Sequence, residues 1–236
     1  PVPGMHTRGV GSMKNWLSTL KTLIWKDLLQ EWRSKDMLTA MLAFAILSIF
    51  IFNYAMELDP RQRAELAPGI LWVVITFSGT LGLNRSFVAE QEQGSFDALV
   101  MAVPGLGSIW LAKQISNFLM MLVLIVIVLP IYSLLYNQNL FNPGLILTLI
   151  LGAWSFSAAG TLLASMTAQT RMRDLLLPVL LFPILMPVNM AVVKAGMGVM
   201  SGAALASYQV WLTVLLVYGI IMTTISLLVF DYVILE

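Results

Sequence analysis

Apolar residues run through this chain in long stretches separated by short polar breaks. A hydrocarbon core of about 30 Å takes roughly 20 residues of helix, and six stretches are long enough: Met37–Met56, Pro68–Val88, Ile109–Leu135, Gly144–Thr167, Leu175–Val193 and Tyr208–Phe230. Pro68 suits the first turn of its helix. Glu57–Ala67 (ELDPRQRAELA) is polar and broken by Pro60, whereas Ala89–Gly107 is mixed, with Glu90, Glu92 and Asp97 ahead of the breakers Pro104 and Gly105. No residue from Gln114 to Thr170 is charged; that run is too long for one helix, and Tyr136–Pro143 (YNQNLFNP) marks the turn between two. Arg171, Arg173 and Asp174 form a short connection before the fifth span, which Pro178, Pro183 and Pro187 interrupt. A kinked packing helix is the expectation there, with a bend at a translocation path as the alternative. Lys194–Ser207 reads as a small, Gly-rich linker and Asp231–Glu236 as a short tail.

The N-terminal part has another character. Trp16, Leu17, Leu20, Leu23, Ile24, Leu28 and Trp32 recur at helical spacing among Lys14, Lys21, Lys26, Asp27, Glu31, Arg33 and Lys35. This predicts an amphipathic helix over 14–36 at the membrane–water interface. A soluble helix packed on a partner is the other reading of the same pattern. Residues 1–12 (PVPGMHTRGVGS) read as a non-native leader ahead of a start at Met13. Residues 13–236 then form one transmembrane domain.

Composition sharpens this picture. The 236 residues are 59% hydrophobic and only 11% charged, and the mean hydropathy is +0.87. A soluble domain carries about 25% charged residues, so an ordinary soluble enzyme and a disordered chain are both excluded. A net charge of +1 gives no pull towards nucleic acid. Cysteine is absent and the one histidine is His6, which removes thiolate and imidazole chemistry from the spans. No metal site and no bound cofactor are expected.

The placement of charge sets orientation. Lys14, Lys21, Lys26, Arg33, Lys35, Arg85, Lys113, Arg171 and Arg173 fall on one side, against Arg61, Arg63 and Lys194 on the other. The positive-inside rule puts both termini in the cytoplasm. Arg85, Lys113, Lys194 and Asp231 fall near span ends, where snorkelling accounts for them. The spans hold no acid–histidine relay, which argues against a proton-driven carrier and an intramembrane protease. Trp72, Trp110, Trp154 and Trp211 read as interfacial anchors. Ser155–Ala159 and Gly160–Ala164–Ala168 have the spacing of closely packed helices.

The most informative stretch is Ala67–Lys113. Ser95 suits a helix N-cap, Phe96–Ala102 a short amphipathic helix, and Pro104–Gly105 its stop. Such a helix, flanked by acids, can press into a groove on a soluble partner; an interfacial loop with solvated acids is the bland reading. Three segments carry a family resemblance: LAPGILWV at Leu66–Val73, EQEQGSFDAL at Glu90–Leu99, and the Val103–Pro104 pair followed by Leu111–Ala112–Lys113. They resemble the heme exporter protein B (CcmB) family, the membrane permease subunit of the cytochrome c maturation ABC transporter. The resemblance covers essentially all of the chain from Met13. Gly94, Ser95, Asp97 (as an acid) and Leu99 fall on the family's run, and Pro104 and Lys113 on its ending. Gly105–Gly107 departs from the family, which often has Leu and Pro there.

The resemblance implies an all-α membrane protein of the ABC-2 exporter permease type, with an interfacial helix and six spans, in the bacterial inner membrane. It implies a non-catalytic subunit, with ATP and magnesium on a separate CcmA-like ATPase; this chain has no Walker G-x-x-x-x-G-K-[ST] motif. The segment holding Glu90, Glu92, Gly94, Ser95, Phe96, Asp97 and Leu99 would be the coupling helix seated on that ATPase. CcmC-like, CcmD-like and CcmE-like partners and haem as cargo, or release of the haem-loaded chaperone, follow from the same resemblance. A homodimer is left open. The alternatives are an ABC-2 permease for a lipid, drug or polysaccharide, and a stand-alone channel or carrier.

Overall fold

The computed structural model describes residues 9–56, 60–92, 106–167, 170 and 172–235. Among them are eight helices and no strand. They are α1 (Gly9–Ser34), α2 (Asp36–Ala55), α3 (Pro60–Glu92), α4 (Leu106–Tyr136), α5 (Pro143–Thr167), α6 (Arg173–Ile184), α7 (Met186–Met200) and α8 (Leu205–Leu235). Segments of α2, α3, α4, α5 and α8 are each long and apolar enough to cross a membrane, and α6 with α7 makes a sixth span broken by a 58° bend. In hydrocarbon every backbone N–H and C=O must find an internal partner, and a helix supplies this from its own ladder.

The bundle is built around α3 and α5, whose span windows are each 72% buried, against 17% for α8. Helix α5 packs on α4, α6, α7 and α8, and α3 packs on α2 and α7. Small residues make this central position available to α5. Gly152, Ala153, Ser155, Ser157, Ala158, Ala159 and Gly160 are all buried, so neighbouring helices approach its backbone closely. A Cβ on Gly152 would stand 2.7 Å from Trp72 Cη2 and from Val192 Cγ2. Glycine is therefore the residue that lets α3 and α7 close on α5. Outward faces carry Leu134, Val126, Leu228 and Val210, all exposed, as lipid-facing positions require.

Several connections are cut by local chemistry. Helix α1 ends in a left-handed residue, Lys35 (φ 58°), whose N–H donates to Glu31 O at 2.7 Å. The Glu31 carboxylate then accepts from Leu38 N at 2.8 Å and satisfies one of the four free amides that begin α2. Asn142 Oδ1 accepts from Gly144 N at 2.9 Å and caps α5, with Pro143 as its first residue. Gly202 (φ 68°) closes α7, with Gly202 N donating to Val199 O and Ala203 N to Gly198 O, the paired bonds of a Schellman motif.

Six expectations are corrected. Pro60 starts a helix instead of breaking one, because its missing N–H costs nothing in a first turn. Pro68 consequently lies inside α3. The span expected at 175–193 is two helices: Pro183 and Pro187 interrupt the ladder around Leu185, and the two pieces bend apart. The linker expected at 194–207 is helical as far as Met200; its Gly196 and Gly198 serve close packing against Pro68 and Tyr208, not chain flexibility. The tail expected at 231–236 is helical to Leu235. Helix α1 also starts at Gly9, inside the segment set aside as a leader.

Thermal unfolding in detergent gives two changes of opposite sign. Lys35→Gly relieves the left-handed strain and stabilises by about 1 kcal/mol. Gly152→Val forces Trp72 and Val192 apart and destabilises by about 2 kcal/mol. Midpoints that move together, or not at all, contradict these assignments.

Candidate functional site

Glu90 and Glu92 belong to the last turns of α3. Gly94, Ser95, Phe96, Asp97 and Leu99 lie outside the described residues, as does the short helix expected over Phe96–Ala102. The frame that delivers this segment is described: α3 leads into it at Glu92 and α4 leaves it from Leu106. Polar side chains tie that end of the bundle together.

Helix α1 packs on α4. There Asp27 Oδ2 lies 3.5 Å from Lys113 Nζ, and the two side chains are only 12% and 9% exposed. Asp27 Oδ1 is also 3.4 Å from Lys26 Nζ. Lys113 was expected to snorkel; it is instead buried against α1 and paired, because α1 covers the base of α4 and brings a carboxylate to it. A pair this sheltered feels little screening, and removing one member strands the other. Beyond it, Gln114 Nε2 donates to Thr223 Oγ1 on α8 at 3.1 Å, and Asn117 Nδ2 to Thr161 Oγ1 on α5 at 3.0 Å. Trp110, Lys113, Gln114 and Asn117 recur every three or four residues, so they share one face of α4. Asn84 Nδ2 donates to Asp174 Oδ1 at 2.8 Å and joins α3 to α6.

This seam holds unspent polar capacity. Trp110 Nε1, Gln114 Oε1, Ser116 Oγ and Ser226 Oγ are buried without a hydrogen-bond partner among the described residues. Trp110 and Trp72 are therefore not the interfacial anchors expected of them. Trp110 is fully buried, and Trp72 is 1% exposed with its indole N–H donating to Asn189 Oδ1 on α7 at 2.9 Å. Nearer the broken span, Tyr218 of α8 donates its hydroxyl to Ile184 O at 2.7 Å. This carbonyl lies at the break, two residues ahead of α7. Among the described residues no group of three or more His, Cys, Asp or Glu side chains could hold a metal ion.

Reading the sequence passed over Asp27, Asn84, Gln114, Asn117 and Asp174. The available signal was the run Lys113–Gln114–Ser116–Asn117 at the head of an otherwise apolar span, since polar groups entering hydrocarbon need partners on neighbouring helices.

Asp27→Ala leaves a buried ammonium and destabilises by about 3 kcal/mol. Asp27→Ala combined with Lys113→Met restores most of that loss. Detergent unfolding of the single and double variants measures it; additive losses contradict a direct pair.

Comparison with known proteins agrees with the resemblance. The CcmB protein family matches residues 18–233. "Heme exporter protein B" of Haemophilus influenzae is 30% identical over 168 residues, 69% of this chain and 76% of the relative. The protein of that name from Bradyrhizobium diazoefficiens is 26% identical over 187 residues, 79% and 84% of the two chains. The one from Pseudomonas aeruginosa is 26% identical over 196 residues, 83% and 87%. With nearly all of its described helices inside the matched region, this all-α membrane chain belongs to the CcmB family.

Proposed function

We propose that the chain is the permease subunit of an ABC transporter acting in cytochrome c biogenesis, with haem, or a haem-loaded chaperone awaiting release, as what it handles. The match to the CcmB family over residues 18–233 carries this reading. Relatives of similar length bear the name heme exporter protein B. The chain supplies no nucleotide-binding motif, so energy enters from a separate CcmA-like ATPase.

The entry point is the segment joining α3 to α4. Glu90, Glu92 and Asp97 offer carboxylates to basic groups on the ATPase, while Phe96 and Leu99 supply the apolar contact. Ser95 is the proposed N-cap of the short coupling helix, with Gly94 just ahead of it. The polar seam supports this placement: α1, α3, α4, α5, α6 and α8 are tied beside the segment by Asp27–Lys113, Asn84–Asp174, Gln114–Thr223 and Asn117–Thr161. A push on the segment then moves helices as bodies instead of bending one loop. Both termini face the cytoplasm in this reading, on the side where the basic residues gather. CcmC-like, CcmD-like and CcmE-like proteins complete the assembly, with haem as substrate and no resident cofactor on this chain.

Co-purification with the ATPase subunit tests the reading. The wild-type chain retains the ATPase, and Asp97→Lys together with Gly94→Pro loses it by about tenfold or more and abolishes cytochrome c assembly, a loss of about 1.4 kcal/mol in affinity at the least. Retention of the ATPase by the double variant, with cytochrome c assembly intact, overturns it.

A further inference from the structure

Helix α1 sorts its side chains into three strips. One faces the bundle, where Asp27 meets Lys113. A second is an apolar ridge left exposed, with Trp25 at 67%, Leu29 at 37% and Trp32 at 79%. Between them runs an open groove of about 510 Å³ lined by Lys26, Leu29, Gln30, Arg33 and Ser34. Lys26, Gln30 and Arg33 are spaced four and three residues apart, so they lie along one line of the helix. Leu29 belongs to both groove and ridge.

The groove has a definite charge. Two cations and two neutral hydrogen-bonding side chains line it, and no carboxylate does. Lys26 is paired with Asp27, which also meets the buried Lys113, so the outward charge is carried chiefly by Arg33. A guanidinium grips phosphate oxygens with two parallel N–H bonds, and an amide beside it adds a third donor.

Depth selects the source of the phosphate. The span Gly107–Tyr136 has 30 residues, about 45 Å of helix against a hydrocarbon core of about 30 Å, so Lys113, near its start, falls at the edge of that core. Helix α1, held to that point by Asp27, lies at the level where headgroups meet acyl chains. Exposed indoles suit the same level. A free anion would use the cations alone and leave the Trp25–Leu29–Trp32 ridge in water, whereas a phospholipid covers both.

We propose that this groove binds the headgroup phosphate of an anionic phospholipid, with Arg33 and Lys26 as its cationic partners, Gln30 as a donor, and the acyl chains lying against Trp25, Leu29 and Trp32. The bound lipid fastens α1 to the leaflet, and through Asp27–Lys113 fastens the base of α4. The site stands independently of the transported substrate and of the ATPase.

Native mass spectrometry of the full chain, with phosphatidylglycerol and phosphatidylcholine offered at equal concentration, tests this. The wild-type chain retains phosphatidylglycerol preferentially, and Arg33→Ala lowers that retention about fivefold. Arg33→Lys keeps part of it, Gln30→Glu abolishes the preference by placing a carboxylate in the groove, and excess inorganic phosphate does not displace the lipid. Unfolding midpoints are measured on each variant; Arg33 and Gln30 bind nothing in the bundle's apolar core, so these stay close to wild type. Equal retention of the two lipids overturns the proposal. So does unchanged retention in both Arg33→Ala and Gln30→Glu, and displacement by inorganic phosphate reassigns the groove to a free anion.

Discussion

A peptide carbonyl or amide left unpaired in hydrocarbon costs several kcal/mol, and this cost shapes the bundle from its centre outward. Wherever the chain runs uninterrupted, the helical ladder meets it. Where proline breaks the ladder between α6 and α7, another helix steps in: Tyr218 of α8 donates to Ile184 O at the break. The bend is thus held by α8, and α8 is in turn held to α5, where Ser155 donates to Leu215 O at 2.8 Å. Small residues on α5 let these helices approach closely enough for such short reaches. The broken span, the central helix and the outermost helix form one dependent set.

The two ends of the bundle are built differently. Around Tyr136 an aromatic stack, Tyr132 on Tyr136 at 4.1 Å between ring centroids, is joined by hydrogen bonds to the backbone, such as Tyr136 to Ile49 O at 3.5 Å. Around the segment joining α3 to α4 the contacts are polar and each joins a different pair of helices. Hydrogen bonds and ion pairs fix partner and angle. In the proposed coupling, that directional end is where the ATPase would act, and α1 would travel with α4 through Asp27 and Lys113. The groove beside Arg33 adds the leaflet as a further attachment of the same unit.

Much of this was legible in the sequence, and the failures have causes. Five of the six spans lie where their apolar runs put them, since hydrocarbon thickness and helical rise leave little freedom. Asn142–Pro143 announced the start of α5 through its turn chemistry. Proline was read less well. Pro60 opens a helix, Pro68 and Pro178 lie inside helices, and Pro183 stands next to the break; which outcome follows depends on position and on what lies opposite, and a single chain does not reveal what lies opposite. Lys113 shows the same limit: a lysine near a span end snorkels unless a carboxylate from elsewhere reaches it, and Asp27 is 86 residues away. Trp72 and Trp110 were misread because indoles serve equally at interfaces and in cores, and Asn189 decides the matter for Trp72. The coupling segment, Gly94–Leu99, lies outside the described residues and rests on motif resemblance.

The chain contains no cysteine, so one introduced thiol gives an unambiguous probe of where the ATPase sits. Asp97→Cys, in the complex assembled in membranes, is predicted to cross-link to the ATPase subunit through a short bifunctional reagent. Asn139→Cys, in the exposed turn between α4 and α5 at the other end of the bundle, is predicted not to. Cross-linking from Asn139→Cys, with none from Asp97→Cys, would place the ATPase at the opposite end and contradict the account.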